Sequence, residues 1–123
     1  LDRIERKQWL ATHTLPPEIR YFSLVALPES EQISRILRLN HRQLAQFSLK
    51  NDSQVLAEDA LIPGSDLLGY ANADHWALTL PLAHRWPFLR FFLNKNDYPR
   101  EILLESIVRY VEERLLSNDT SSV

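Results

Sequence analysis

Glycine is scarce in this chain, with two in 123 residues, Gly64 and Gly69, where an ordinary protein has about 7%. A Gly-x-Ser-x-Gly elbow, a dinucleotide-binding fingerprint and a phosphate-cradling P-loop each need more glycine than that, and none is present. Cysteine is absent, which excludes a disulfide framework and thiolate chemistry and leaves the redox compartment undefined. Methionine is absent too, so the chain opens at Leu1 without an initiator residue; the expectation is a processed product or a piece of something longer. No run approaches the roughly 18 uncharged apolar residues of a membrane span, and no secretory signal opens the chain. The expectation is therefore a soluble protein with no transmembrane segment, a cytoplasmic setting being slightly preferred. Fourteen basic and 16 acidic side chains leave a net charge of −2, which argues against a nucleic-acid partner.

What is present is ordinary globular composition, 45% apolar and 24% charged, in one domain's worth of chain or a little less. Residues 1–14 pattern as a short amphipathic helix, with Leu1, Ile4 and Leu10 on one stripe, ended by Pro16 and Pro17. Residues 19–27 form the best strand, nearly continuous in apolar and aromatic residues, as expected where a parallel sheet is covered on both faces. A helix follows over residues 30–46, its apolar face set by Ile33, Ile36, Leu37 and Leu44 and its wet face by Arg35, Arg38 and Arg42. Residues 47–49 read as a short extended piece. Residues 58–61 read as one helical turn before the Pro63-Gly64 bend, and residues 67–71 as the last strand. Prolines break residues 76–93, where Trp86, Phe88, Phe91 and Phe92 alternate with Arg85 and Arg90. Core packing against the last helix is the preferred reading of those aromatics, an acyl-binding or membrane-surface patch the other. Residues 94–97 read as a polar loop. Pro99 opens the strongest helix, with Leu104, Val108, Val111 and Leu115 on one stripe, and residues 117–123 form a flexible tail. No internal repeat or low-complexity stretch appears. The order predicts an α/β fold with a parallel sheet.

Two stretches carry candidate chemistry. Gly69-Tyr70-Ala71-Asn72-Ala73-Asp74-His75-Trp76 sets a histidine on a loop just past the last strand, and Asn51-Asp52-Ser53-Gln54-Val55 is a polar turn with an aspartate. A hydroxyl nucleophile needs a base to take its proton, and that base needs a carboxylate to fix its tautomer and stabilise the imidazolium. Asp52 and His75 stand in that order, 23 residues apart. Each alone has a plainer reading. An aspartate in an Asn-Asp-Ser turn is most often a turn former, and a lone histidine is most often structural or solvated. Asp74 competes for the role of acid, although adjacent residues rarely hold the side-chain geometry of a triad. His13, His41 and His84 lie at no metal-ligand spacing and read as surface residues.

At these residues the sequence resembles the bacterial lipases and esterases of the α/β-hydrolase superfamily. Their acid stands in a turn written Asn-Asp-Gly-x-Val and their histidine a similar distance later, on loops after successive late strands. Serine replaces that glycine here, as Ser53, and the Tyr21-Phe22-Ser23 strand resembles the strand that precedes the acid. The resemblance covers roughly residues 18–116. It implies the C-terminal part of a single α/β-hydrolase domain, with parallel strands and packing helices. Asp52 and His75 are then the catalytic acid and base of a serine ester hydrolase, acting on an ester or lipid substrate. The nucleophile elbow and oxyanion loop have no counterpart in these 123 residues, so the implied partner is the missing N-terminal half of the fold or a second copy. Some of these lipases bind calcium through an aspartate two residues after the histidine. That position is Ala77 here, and no cofactor is implied. Two other readings stand beside this one: a non-catalytic binding or assembly module on the same fold, and a small complete α/β domain.

Overall fold

The computed structural model describes residues 3–80, 88, 92, 93 and 98–119, apart from the side chains of 118 and 119. Its elements are helix α1 (Arg3–Thr12), strand β1 (Phe22–Ala26), two 3₁₀ turns (Ser30–Gln32 and Arg35–Leu37), α2 (Arg38–Leu44), α3 (Ala57–Ala60), β2 (Asp66–Ala71), α4 (His75–Thr79) and α5 (Arg100–Asp119). Among the described residues the sheet is two-stranded and parallel. It runs from Phe22 opposite Asp66 to Ala26 opposite Ala71, and its register slips between Ser23 and Leu24.

That slip explains one of the two glycines. Ser23 faces Leu67 and Leu24 faces Gly69, so Leu68 is the extra residue of a bulge. Gly69 takes φ 149° there, a conformation that side chains disfavour. The other glycine, Gly64 at φ 76°, follows Pro63 in a turn closed by the Ser65 N–H on the Ile62 carbonyl, 3.0 Å. Proline then left-handed glycine is the type II arrangement. Both glycines therefore serve β2, one entering it and one inside it.

β1 is shorter than the apolar run of residues 19–27, because the Ile19 N–H turns back to the Pro16 carbonyl at 3.2 Å and Pro28 closes the other end. Its residues Ser23, Val25 and Ala26 are buried. With Ile33, Leu37, Leu56, Ala57, Ala71, Ala73, Ala77 and Leu93 they form the described core.

The helix expected over residues 30–46 is broken. Ile33 and Ser34 are extended, Ser34 at φ −54° and ψ 137°, between the two 3₁₀ turns. The reason is tertiary: the Ser34 N–H donates to Asp74 Oδ2 at 2.6 Å, a bond that a continuous helix would have given to its own backbone. The i, i+4 pair Ile33 and Leu37 is buried all the same, whereas Ile36 is exposed. Residues 47–49 form no strand.

The outer helices are held as much by arginines as by apolar stripes. α1 buries no residue, and Ile4 is exposed. Arg3 pairs with Glu58 (3.1 Å) and Asp59 (2.6 Å), and Arg6 donates to the Leu61 carbonyl at 3.2 Å. On α5 the half-buried apolar residues are Leu103, Ile107 and Val111, a face rotated from the expected stripe, whose Leu104, Val108 and Leu115 are exposed. The rotation has two anchors. Arg100 donates to the carbonyls of Ala77 (2.6 Å) and Leu80 (3.0 Å). Arg20 reaches the Arg114 carbonyl and Asp66, each at 3.1 Å. The helix continues to Asp119, so the expected tail is helical over residues 117–119, and residues 120–123 lie outside the described residues.

Leu37, 2% exposed, is the largest fully buried side chain among the described residues. In the intact protein Leu37→Ala should cost about 2–5 kcal/mol, read as a lowered midpoint in urea denaturation.

Candidate active site

The acid turn is built by its own side chains. The Asn51 Oδ1 accepts the Ser53 N–H (3.0 Å), and its Nδ2 donates to the Ser48 carbonyl (3.0 Å). The Asp52 Oδ1 accepts the N–H groups of Gln54 (2.9 Å) and Val55 (2.6 Å). These are two successive Asx turns, the local motif that Asn and Asp favour over regular structure. An antiparallel bridge between Asn51 and Leu56 closes the loop. Inside it Ser53 is left-handed, φ 81°, a conformation costing an L-residue about 1–2 kcal/mol. Serine thus adopts the backbone for which glycine is the usual choice, held there by Asn51.

With Oδ1 engaged by the turn, Asp52 Oδ2 is left for another partner. It lies 2.7 Å from His75 Nδ1. The same two residues meet again through the backbone, the His75 N–H donating to the Asp52 carbonyl at 3.0 Å. Asp52 is buried and the His75 side chain is 31% exposed. A carboxylate only accepts, so Nδ1 carries a hydrogen, and in the neutral ring Nε2 is then the nitrogen with the lone pair. The arrangement can hold a neutral imidazole as a proton acceptor at Nε2 and stabilise it once charged.

Asp74 does something different. Its Oδ1 caps α4 by accepting the Ala77 N–H (2.8 Å), and its Oδ2 accepts from Ser34. Its carboxylate is committed to two backbone donors, fully buried, and is not the partner of His75. His75 itself is the first residue of α4 rather than part of a loop.

No family model matches the chain, and no curated protein matches it. It is similar to a solved structure, the crystal structure of the metagenomic carboxyl esterase MGS0156, with 47% identity and a TM-score of 0.85 over 93% of this chain and 34% of that one. The chain belongs to the α/β-hydrolase superfamily. It spans about a third of that esterase's length.

Within this hydrolase fold the acid turn does not directly follow β1. Residues 27–50 intervene, and the chain returns at Asn51 to the end of the sheet where β2 delivers His75. Two side chains join the loop after β2 to the segment after β1: Asn72 Oδ1 accepts the Glu29 N–H at 2.8 Å, and Asp74 accepts that of Ser34. Their sequence signal was an Asn-x-Asp run beside the histidine, which spacing alone cannot assign to a distant backbone. Of the aromatic run, Phe88 and Phe92 are exposed and Leu93 is buried, so the expected core packing is not met at those two phenylalanines. Trp86, Phe91, Arg85 and Arg90, and with them His84 and the loop over residues 94–97, lie outside the described residues. His13 is exposed and stacks on Trp9 with ring centroids 4.5 Å apart. No described helix is long and apolar enough to cross a membrane.

The hydroxyl of Ser53 is buried without a partner among the described residues. Ser53→Gly removes both that hydroxyl and the left-handed penalty, offset in part by the greater freedom of unfolded glycine. The expected result is a gain of about 1 kcal/mol in the intact protein, read by urea denaturation. His41, whose carbonyl lies 3.5 Å from the Asn51 amide, is half-buried, and burial lowers its pKa from 6.5. The unfolded chain therefore binds the extra proton first. Stability should fall as pH drops below about 6.5, with a smaller fall in His41→Gln, read by denaturation midpoints across that range.

Proposed function

We propose that these residues are the later part of an α/β-hydrolase domain whose whole protein cleaves carboxylic esters, with Asp52 as the acid and His75 as the base of its triad. The observation that carries this reading is the Asp52–His75 hydrogen bond of 2.7 Å between a buried carboxylate and a partly exposed imidazole. The likeness to a carboxyl esterase over 93% of the chain supports the reaction class. In this mechanism His75 Nε2 takes the proton of a serine hydroxyl as that oxygen attacks the ester carbonyl. It then returns the proton to the leaving alkoxide, and in the second half it activates water against the acyl-enzyme. Asp52 keeps the hydrogen on Nδ1 throughout and balances the imidazolium.

The serine belongs to a part of the protein outside these 123 residues. Ser23 is inside β1, and no serine of these residues stands in a Gly-x-Ser-x-Gly setting. The same partition accounts for the surface. Leu39, Phe47, Leu49, Ile102 and Leu116 are all exposed here, and a parallel strand left at an edge calls for a neighbour. The rest of the hydrolase domain is the natural cover, and residues 1–123 alone should associate and show no esterase activity.

In the intact protein Asp52→Asn should lower kcat on a short-chain aryl ester by about 10⁴-fold, because the amide favours the wrong histidine tautomer. His75→Ala should do at least as much, with both variants folded by circular dichroism. Wild-type turnover in His75→Ala would remove the histidine from the mechanism. Esterase activity from residues 1–123 alone, abolished by His75→Ala, would overturn the assignment of the nucleophile to another part of the protein.

A further inference from the structure

Asp74 stands next to the proposed base, is fully buried, and has no part in the proton transfers just described. Its surroundings explain why a charged group is tolerated there. Both carboxylate oxygens are satisfied by backbone N–H groups, Ala77 at 2.8 Å and Ser34 at 2.6 Å, and charge-assisted bonds of this kind are the stronger ones. A cap for α4 requires only one oxygen. The second oxygen reaches 40 residues back along the chain, and it holds Ser34 extended where the local sequence would otherwise continue a helix.

The geometry around His75 gives that second bond a purpose. α4 is five residues long and begins at His75, too short to hold its own orientation. On one side His75 is tied to the acid turn, by its N–H and by its ring. On the other, the adjacent residue is tied to the segment after β1. Asp74 is extended, φ −74° and ψ 170°, so the two neighbouring side chains reach different loops. Arg100 holds the later carbonyls of α4, Ala77 and Leu80, and Asn72 ties the loop upstream to Glu29, but among the described residues Asp74 alone joins the position next to His75 to Ser34.

We infer that Asp74 is a positioning residue for the base: by bridging Ser34 and Ala77 it fixes where α4 begins and hence where the His75 ring meets Asp52 and its proton donor. This rests on His75 being the base, as proposed above. The role needs no proton on or off Asp74 and no contact with substrate. Catalytic groups must be held to within about 0.5 Å of their working geometry, and a misplacement near 1 Å can cost about 100-fold in rate.

The test separates a bridge from a plain helix cap. Asp74→Ser keeps a good cap residue for α4 but is too short to reach Ser34 as well. Asp74→Asn keeps the volume and can accept only one of the two N–H groups. Both are made in the intact protein beside His75→Ala, and three things are read: kcat and KM on a short-chain aryl ester, thermal unfolding, and the low-field proton resonance of His75 Nδ1–H. That resonance reports the Asp52–His75 bond without any turnover. The inference predicts a kcat lower by about 10- to 100-fold with KM unchanged, and a displaced or broadened resonance, in both variants. Wild-type kcat and resonance with a lowered melting temperature would make Asp74 a structural cap and overturn the inference while leaving the assignment of His75 intact. Full turnover in His75→Ala would overturn both.

Discussion

The site depends on one doubly tied contact: Asp52 and His75 are joined both by side chains, at 2.7 Å, and by backbone, at 3.0 Å. A single side-chain hydrogen bond between two loops contributes modestly to stability and leaves the relative orientation of the loops free. Two bonds from the same pair of residues fix distance and orientation together. The remaining groups around the pair occupy the lone pairs and donors that would otherwise compete. The backbone of Gln54 and Val55 takes Oδ1 of Asp52, and the backbone of Ser34 and Ala77 takes the carboxylate of Asp74.

This division of labour explains how Asn51 and Asp74 are fully buried, together with the backbone of Ser34 and Ser53 that they hold. Buried polar groups cost free energy unless bonded, and here the carboxylate and amide atoms are bonded to loop backbone. They give an irregular part of the chain the fixed geometry that strands and helices have from their own ladders. The sheet supplies little beyond the platform: two described strands, with a glycine bulge in β2, end where Asn72 and Asp74 fasten the loop after β2 to the segment after β1.

Much of this was legible in the sequence, for definite reasons. Asn-Asp-Ser marks a turn because those side chains bond their own backbone, and Pro63-Gly64 marks a bend because each residue has a restricted or permissive φ. The parallel strands followed from the apolar run around Val25 and the shorter run ending at Ala71. The pairing of Asp52 with His75 rather than Asp74 was approachable because consecutive residues diverge. What pattern could not give was anything decided by a distant backbone partner. Residues 30–46 carry a helical stripe, yet Ser34 is pulled extended by a carboxylate from beyond β2. The rotation of α5, with Leu103 and Ile107 turned inward in place of Leu104 and Val108, depends on where Arg20 and Arg100 find carbonyls. Ser53 defied the rule that left-handed turns prefer glycine because Asn51 holds its N–H.

The central claim is that His75, oriented by Asp52, is the base facing a serine from another part of the same hydrolase domain. A crystal structure of the intact protein inhibited by an aryl phosphonate ester tests it most directly, since the phosphorus marks the nucleophile. The account predicts a phosphonylated serine outside residues 1–123, with its Oγ about 3 Å from His75 Nε2 and the Asp52–His75 bond preserved. A different histidine at that oxygen, or an Asp52 carboxylate turned away from His75, would contradict it.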